Sequence, residues 1–191
     1  MEPIHLFDSY YFREATAEEF EPFFNAQRAI VFADNIVLPL EDWTTDREKV
    51  MRSDLSALIR ERFILRILIL KKDEIIGWHL GRQIDDEQFN MNNTGILNEH
   101  RNKGIYSALL PKLLELIRSK GFQKVVSKHH ASNNAVIIPK LKAGFVINGM
   151  EISERHGVFV LLAYIFNEDR LKAFQFRTGA RRPDEELKKY L

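Results

Sequence analysis

From residue 63 onward the hydrophobic pattern changes period, and that switch constrains the fold more than any other feature of the chain. Residues 63–70 are dense in Ile and Leu, Lys71, Lys72, Asp73 and Glu74 make a polar turn, and 75–84 is again extended, which predicts a β-hairpin. Before the switch, apolar residues recur at helical spacing. Residues 16–32 open on a Thr-Ala-Glu-Glu capping-box pattern and continue with Phe20, Phe23, Phe24, Ile30 and Val31. Residues 46–63 carry Val50, Leu55, Leu58 and Ile59 at the same spacing. After it, 89–97 reads as a strand weakened by Asn90, Asn92 and Asn93. Residues 105–119 then align Ile105, Leu109, Leu113, Leu116 and Ile117 on one helical stripe that Gly121 ends. A short β-rich run at 122–127, a helix at 133–143 closed by Gly144, and strands at 145–147 and 157–166 follow. The order β-α-α-β-β-β-α-β-α-β-β implies an α/β (α+β) domain with a mixed sheet. The charged tail, 167–191, is expected to hold a short helix at 184–190, just after Pro183.

Composition excludes more than it selects. A chain of 191 residues suits one domain spanning 1–191. A formal charge of +1 gives no electrostatic case for nucleic acid, and no basic stripe with interleaved aromatics occurs. With no cysteine there are no disulfides, no thiolate metal sites and no cysteine nucleophile, and no metal is expected. The longest apolar stretches, 63–70 and 158–166, are too short to span a membrane, and 1–11 lacks the basic-then-apolar pattern of a signal segment. A cytoplasmic location is the resulting expectation; a homodimer is compatible with the sequence.

The segment Arg101-Asn102-Lys103-Gly104-Ile105-Tyr106-Ser107 lies between a predicted strand and a predicted helix. A helix N-terminus presents unpaired N–H groups and the positive end of the macrodipole, so a phosphate is favoured there. Gly104 lets the backbone approach a ligand closely, and Arg101 and Lys103 add positive charge. A basic turn without a ligand is the plainer alternative. No Gly-Lys-Ser/Thr and no G-x-G-x-x-G occurs, which excludes the Walker and Rossmann readings.

This loop resembles motif A of the GNAT (Gcn5-related N-acetyltransferase) superfamily, Gln/Arg-x-x-Gly-x-Gly/Ala, with Arg101 and Gly104 matching and Tyr106 in the final small-residue position. Asn133 followed by Lys140-Leu141-Lys142-Ala143-Gly144-Phe145 resembles motif B, an Asn leading a helix that ends in Gly-Phe. The two motifs occupy about 89–147. The resemblance implies a mostly antiparallel central sheet flanked by helices, and acetyl-CoA as acyl donor for a primary amine of a small molecule or a protein. It further implies that the strand before the loop splays from its neighbour and pairs its backbone with the pantetheine arm, through Ile96 and then Leu97. The amides of Asn102, Lys103, Gly104, Ile105, Tyr106 and Ser107 are expected to hold the pyrophosphate with Arg101 beside them, and Asn133 to bond the cofactor near the pantetheine.

The proton chemistry is where the chain departs from the family. The tyrosine that serves many relatives as the acid is replaced by Lys140, with Pro139 beside it. A lysine ammonium stabilises a developing thiolate, whereas the ordinary reading is a solvent-facing lysine on an exposed helix face. Pro111 and Pro139 predict kinks in their helices. For a base there is no carboxylate on the strand before the loop. His129, at the end of the strand after motif A, is the first candidate, and His79 on the 75–84 strand the second. Adjacent strand residues face opposite ways, so His129 and His130 cannot easily share a ligand, while Ser127 and His129 share a face. Phe20, Phe23, Phe24 and Phe32 are expected to pack the first helix on the sheet. Asp85, Asp86 and Glu87 read as a solvated turn that would favour a cationic acceptor if it faced the groove. Arg177, Arg181 and Arg182 in the tail are expected to face solvent. The missing tyrosine and carboxylate leave a second reading open, an acyl-CoA-binding module without efficient chemistry.

Overall fold

The computed structural model describes residues 2–33, 40–57, 62–185 and 187–190. Eight strands form one sheet in the order β1-β2-β3-β4-β5-β6-β8-β7. They are β1 (Ile4–Phe7), β2 (Tyr10–Glu14), β3 (Ile64–Lys71), β4 (Glu74–Gln83), β5 (Gln88–Ile96), β6 (Lys124–His130), β7 (Val146–Ser153) and β8 (Gly157–Ile165). The helices are α1 (Ala17–Val31), α2 (Asp46–Ala57), α3 (Ile105–Ser119), α4 (Asn134–Lys142) and α5 (Glu168–Arg177). Every pairing is antiparallel except β5 with β6, because α3 carries the chain across between those two.

Local chemistry explains most element ends. Thr16 Oγ1 accepts from the Glu19 amide at 3.3 Å and Glu19 Oε2 accepts from the Thr16 amide at 3.0 Å, a closed capping box at the start of α1. The predicted first strand is a hairpin, β1 with β2. The expected second helix ends at Ala57 rather than 63, and Leu58 and Ile59 lie outside the described residues. β7 extends to Ser153, well past the expected 147. In the tail, α5 forms where only charge was legible, and the expected 184–190 helix is a 3₁₀ turn at Leu187–Tyr190. The helices α3 and α4 continue through Pro111 and Pro139. Pro111 is exposed, and so is Ser107, whose carbonyl it leaves without a helical donor and open to water.

Two cores sit on opposite faces of the sheet. On one face Phe12, Ile67, Ile69, Phe89, Met91 and Val125 pack against the Leu109, Leu113 and Ile117 stripe of α3. On the other, Phe20, Phe24 and Val31 of α1 close over Leu68 and Trp78. The Trp78 ring meets Phe23, Phe24 and Phe32 edge-on at 6.1, 5.7 and 6.1 Å, so the α1 aromatics pack as expected. The Trp78 indole donates to Asn93 Oδ1 at 2.6 Å, anchoring β5 despite its asparagines.

Gly95 lies directly beneath this tryptophan, where a Cβ would stand 2.3 Å from Trp78 Cζ2. Gly95→Ala is therefore expected to destabilise the fold by about 1–3 kcal/mol through overpacking, read as a lowered denaturation midpoint. An unchanged midpoint would mean that Trp78 has room to move.

Candidate active site

The sheet opens between β5 and β6. Their last paired residues are Asn90 and Val126. Just beyond, the β4–β5 register shifts opposite Leu80 and Gly81, leaving Asn92 as the extra residue. A bulge re-aims a strand and ends its pairing on one side. From there β5 keeps β4 but leaves β6. Leu97 donates its amide to Ile76 at 2.9 Å, so alternation turns the amide and carbonyl of Ile96 toward the gap. The expected splay is present, with Ile96 on its edge.

A cleft of about 1020 Å³ runs from this gap to the N-terminus of α3. It is lined by Ile96, Arg101, Asn102, Lys103, Gly104, Ile105, Tyr106, Ser107 and Asn133, so nine of the ten cofactor candidates converge on one cavity. Leu97 does not line it; its side chain packs with the Trp78 core. Within the cleft the roles differ. Ile105 is 1% exposed, its side chain packed with the α3 core. Arg101 donates Nε to the Ile96 carbonyl at 3.1 Å and Nη2 to the Val31 carbonyl at 2.8 Å, fastening the loop to α1 and β5. Asn102 and Gly104 hold φ of 60° and 77°, the left-handed conformations that turn the chain into α3. A Cβ on Gly104 would meet nothing within 4 Å, so this glycine borders open space.

A second cavity of about 800 Å³ lies toward the α1 face and shares Phe32, Thr94, Tyr106, His130, Asn133, Val136, Ser153 and His156 with the first. Through the gap between the strands it reaches Met91, His129 and Lys140. Burial raises the pKa of the Tyr106 hydroxyl far above its ordinary range, so it remains a neutral phenol.

Lys140 is the clearest correction to the sequence reading. It is not on an exposed face but 1% exposed, among the largest buried side chains. Its Nζ donates to Ser127 Oγ at 2.6 Å, contacts Met91 Sδ at 3.6 Å and stands 4.8 Å from the centre of the Phe145 ring. Burial without a counter-charge pushes its pKa down to about 7. Ser127 is the partner that sequence reasoning left without a role. Its Oγ also lies 3.1 Å from His129 Nε2, which links Lys140 to His129 through one hydroxyl. β6 extends to His130, so Ser127 and His129 do share a face. Burial, and then the charge of Lys140, lower the His129 pKa to about 3, leaving a neutral imidazole.

His79 is placed differently. It is wholly buried, lines neither cavity, and bonds Thr94 Oγ1 at 2.8 Å through Nδ1. Burial and the nearby Lys140 lower its pKa to about 3 as well. The acidic run is also elsewhere. Asp85 accepts from the Glu87 and Gln88 amides, Glu87 pairs with Arg170 at 2.8 Å, and none of the three acids lines a cavity. Arg177, Arg181 and Arg182 are exposed and outside both cavities. Among the described residues no group of three or more His, Cys, Asp or Glu is placed to hold a metal, and no helix is long and apolar enough to cross a membrane.

A mixed sheet split beside a helix N-terminus, with a glycine turn at its mouth, is the architecture of a CoA-dependent acyltransferase. The sequence profile described as the acetyltransferase (GNAT) family matches residues 10–145, and the chain belongs to this family. Solved structures agree on the fold. A GNAT family acetyltransferase from Elizabethkingia anophelis with acetyl-CoA bound is 18% identical, with a TM-score of 0.58 over 83% of this chain and 99% of that one. The ribosomal-protein-S5-alanine acetyltransferase from Vibrio fischeri is 14% identical, with a TM-score of 0.63 over 88% and 98%. RimL, a ribosomal L7/L12 α-N-protein acetyltransferase in complex with CoA, is 15% identical, with a TM-score of 0.63 over 86% and 98%. No curated protein matches the chain in sequence.

Proposed function

We propose that this protein, in the cytoplasm, transfers the acetyl group of acetyl-CoA to a primary amine, with Lys140 as the acid for the departing thiolate and His129 as the base. The observation that carries this reading is the split between β5 and β6, beside which the cleft at the start of α3 adjoins a second cavity that His129 and Lys140 line. The pyrophosphate binds the amides of residues 102–107, the pantetheine pairs with the freed edge at Ile96, and Asn133 bonds beside it. The family and the acetyl-CoA seen in the Elizabethkingia neighbour support that donor.

The acceptor enters from the α1 side as a neutral amine and attacks the thioester carbonyl. The C–N bond forms and the C–S bond breaks as Lys140 gives its proton to sulfur; with that positive charge gone, His129 becomes more basic and takes the proton lost by nitrogen. Ser127 then carries the proton from His129 to Lys140, which restores both groups. A lysine with a pKa of about 7 is protonated often enough to donate and gives its proton up readily, which suits an acid at neutral pH.

The test is free-thiol release from acetyl-CoA in the presence of primary amines, with the acetylated product identified by mass. Stabilisation by acetyl-CoA without thiol release from any amine would remove the catalytic reading and leave a binding module. His129→Ala is expected to lower turnover by roughly 10²-fold with acetyl-CoA affinity retained. An unchanged rate and pH profile would exclude His129 as the base.

A further inference from the structure

The second cavity is a cationic groove. Its charged lining consists of Arg28, Arg82, Lys128, Lys140 and Glu151, with the histidines 129, 130 and 156. Among the described residues its one carboxylate, Glu151, is neutralised by Lys128 at 2.6 Å. Arg28, in the last turn of α1, has its guanidinium over the Phe24 ring at 5.6 Å, and Arg82 extends from β4; neither has a carboxylate partner among the described residues. Around them stand Asn25, Asn90, Asn92, Asn93 and Asn133, five side-chain amides lining the same cavity.

We propose that the acceptor is a small amine that also carries an anionic group, a carboxylate or a phosphate, and that Arg28 and Arg82 hold that group. This rests on the acetyl-transfer reading of the same cleft. An unpaired guanidinium offers a fork of donors matched to carboxylate or phosphate oxygens, and two of them face one groove. The same field repels an ammonium. It rejects polyamines and favours the neutral amine that attack requires, while the anionic group compensates the charge. Arg82 stands opposite Asn90 on β5, and the gap that leads to Lys140 opens beyond that point. The amine and the anion are therefore separated by several bonds. The acidic run that would have argued for a cationic acceptor lines neither cavity.

The experiment is a matched panel on the whole chain with acetyl-CoA: 5-aminovalerate against 5-amino-1-pentanol and cadaverine, and phosphoethanolamine against ethanolamine. Thiol release is measured at low and high KCl, and thermal stabilisation of the CoA-loaded protein by each amine alongside it. The anionic member of a pair is expected to show kcat/KM about tenfold or more above its neutral match, with cadaverine lowest. Salt should compress the ratio. Preference for 5-aminovalerate identifies the carboxylate and preference for phosphoethanolamine the phosphate. Arg82→Gln and Arg28→Gln should each shrink the anionic-to-neutral ratio, chiefly through KM. A preference for cadaverine, a ratio near one, or a ratio untouched by both variants overturns the proposal while acetyl transfer stands. Stabilisation by an anionic amine without thiol release upholds the anion site and sinks the transfer reading. Neither stabilisation nor turnover with any anionic amine overturns it outright.

Discussion

Lys140→Met is expected to give a protein that is more stable than the native one and nearly inactive. The native lysine is buried with a hydroxyl, a thioether and an aromatic face around it, and no carboxylate. Holding its pKa at about 7 rather than 10.5 costs the folded state on the order of 4 kcal/mol at neutral pH and below. Methionine fills a similar volume without the charge. Allowing for the hydrogen bond that Ser127 gives up, a net gain of about 1–3 kcal/mol is expected. The sign with pH is definite. The folded-state pKa lies below the unfolded one, so the unfolded chain binds more protons between about 7 and 10.5, and native stability rises with pH across that window. The variant should lack that rise.

Its activity should move the other way, falling by roughly 10²- to 10³-fold as the acid for the thiolate is removed. The pH profile makes the assignment specific. Below about 7, native kcat/KM should climb with pH as the acceptor loses its proton. Above about 7, the gain in neutral amine is cancelled by the loss of protonated Lys140, and the profile flattens up to the pKa of the acceptor. In Lys140→Met the climb should continue without a break at 7. Urea unfolding at several pH values together with the two profiles checks all of this. A variant that is less stable and fully active would return Lys140 to a structural role.

The difference between what was legible in the sequence and what was not follows from the range of the interactions. Capping at Thr16, the α3 stripe and the Gly104 turn depend on residues a few positions apart, and each was readable as a pattern. β5 defied its asparagines because Trp78, fifteen residues away, donates to Asn93. The burial of Lys140 was hidden for the same reason. Nothing within α4 says that its side chain turns inward; the acceptor that makes this tolerable, Ser127, is on β6. A signal did exist, since Ser127 and His129 alternate on one strand and both motifs flank them. It lacked a third group until α4 was placed over β6. His79 was a reasonable candidate by residue type, but a strand buried on both faces gives a histidine no access to substrate. The proposed acceptor groove was the least legible part, because Arg28 and Arg82 belong to elements outside both motifs and reach one cavity only through packing.

Gly104→Asp is expected to abolish acetyl-CoA binding while leaving the fold intact. Gly104 caps the start of α3 with φ of 77°, and the space where a Cβ would stand is open. The Cβ of an aspartate there meets no atom within 4 Å, and the substitution costs about 1 kcal/mol for a left-handed backbone that Asp adopts more readily than most residues. The native fold, with its α3 stripe buried, absorbs that loss. Ligand binding does not. The carboxylate would stand at the positive end of α3, accept from the amides proposed to hold the pyrophosphate, and oppose its charge. Losing two charge-assisted hydrogen bonds at about 1.5–3 kcal/mol each weakens binding by at least about 100-fold. In a thermal-shift experiment the native chain at a hundredfold excess of acetyl-CoA should gain about 2.7 kcal/mol of apparent stability, and the variant essentially none. ATP, which has no pantetheine arm to pair with the freed edge at Ile96, should shift neither. A variant that still responds to acetyl-CoA would move the pyrophosphate away from the α3 amides; a native chain that responds equally to ATP would take the pantetheine contact at β5 out of the account.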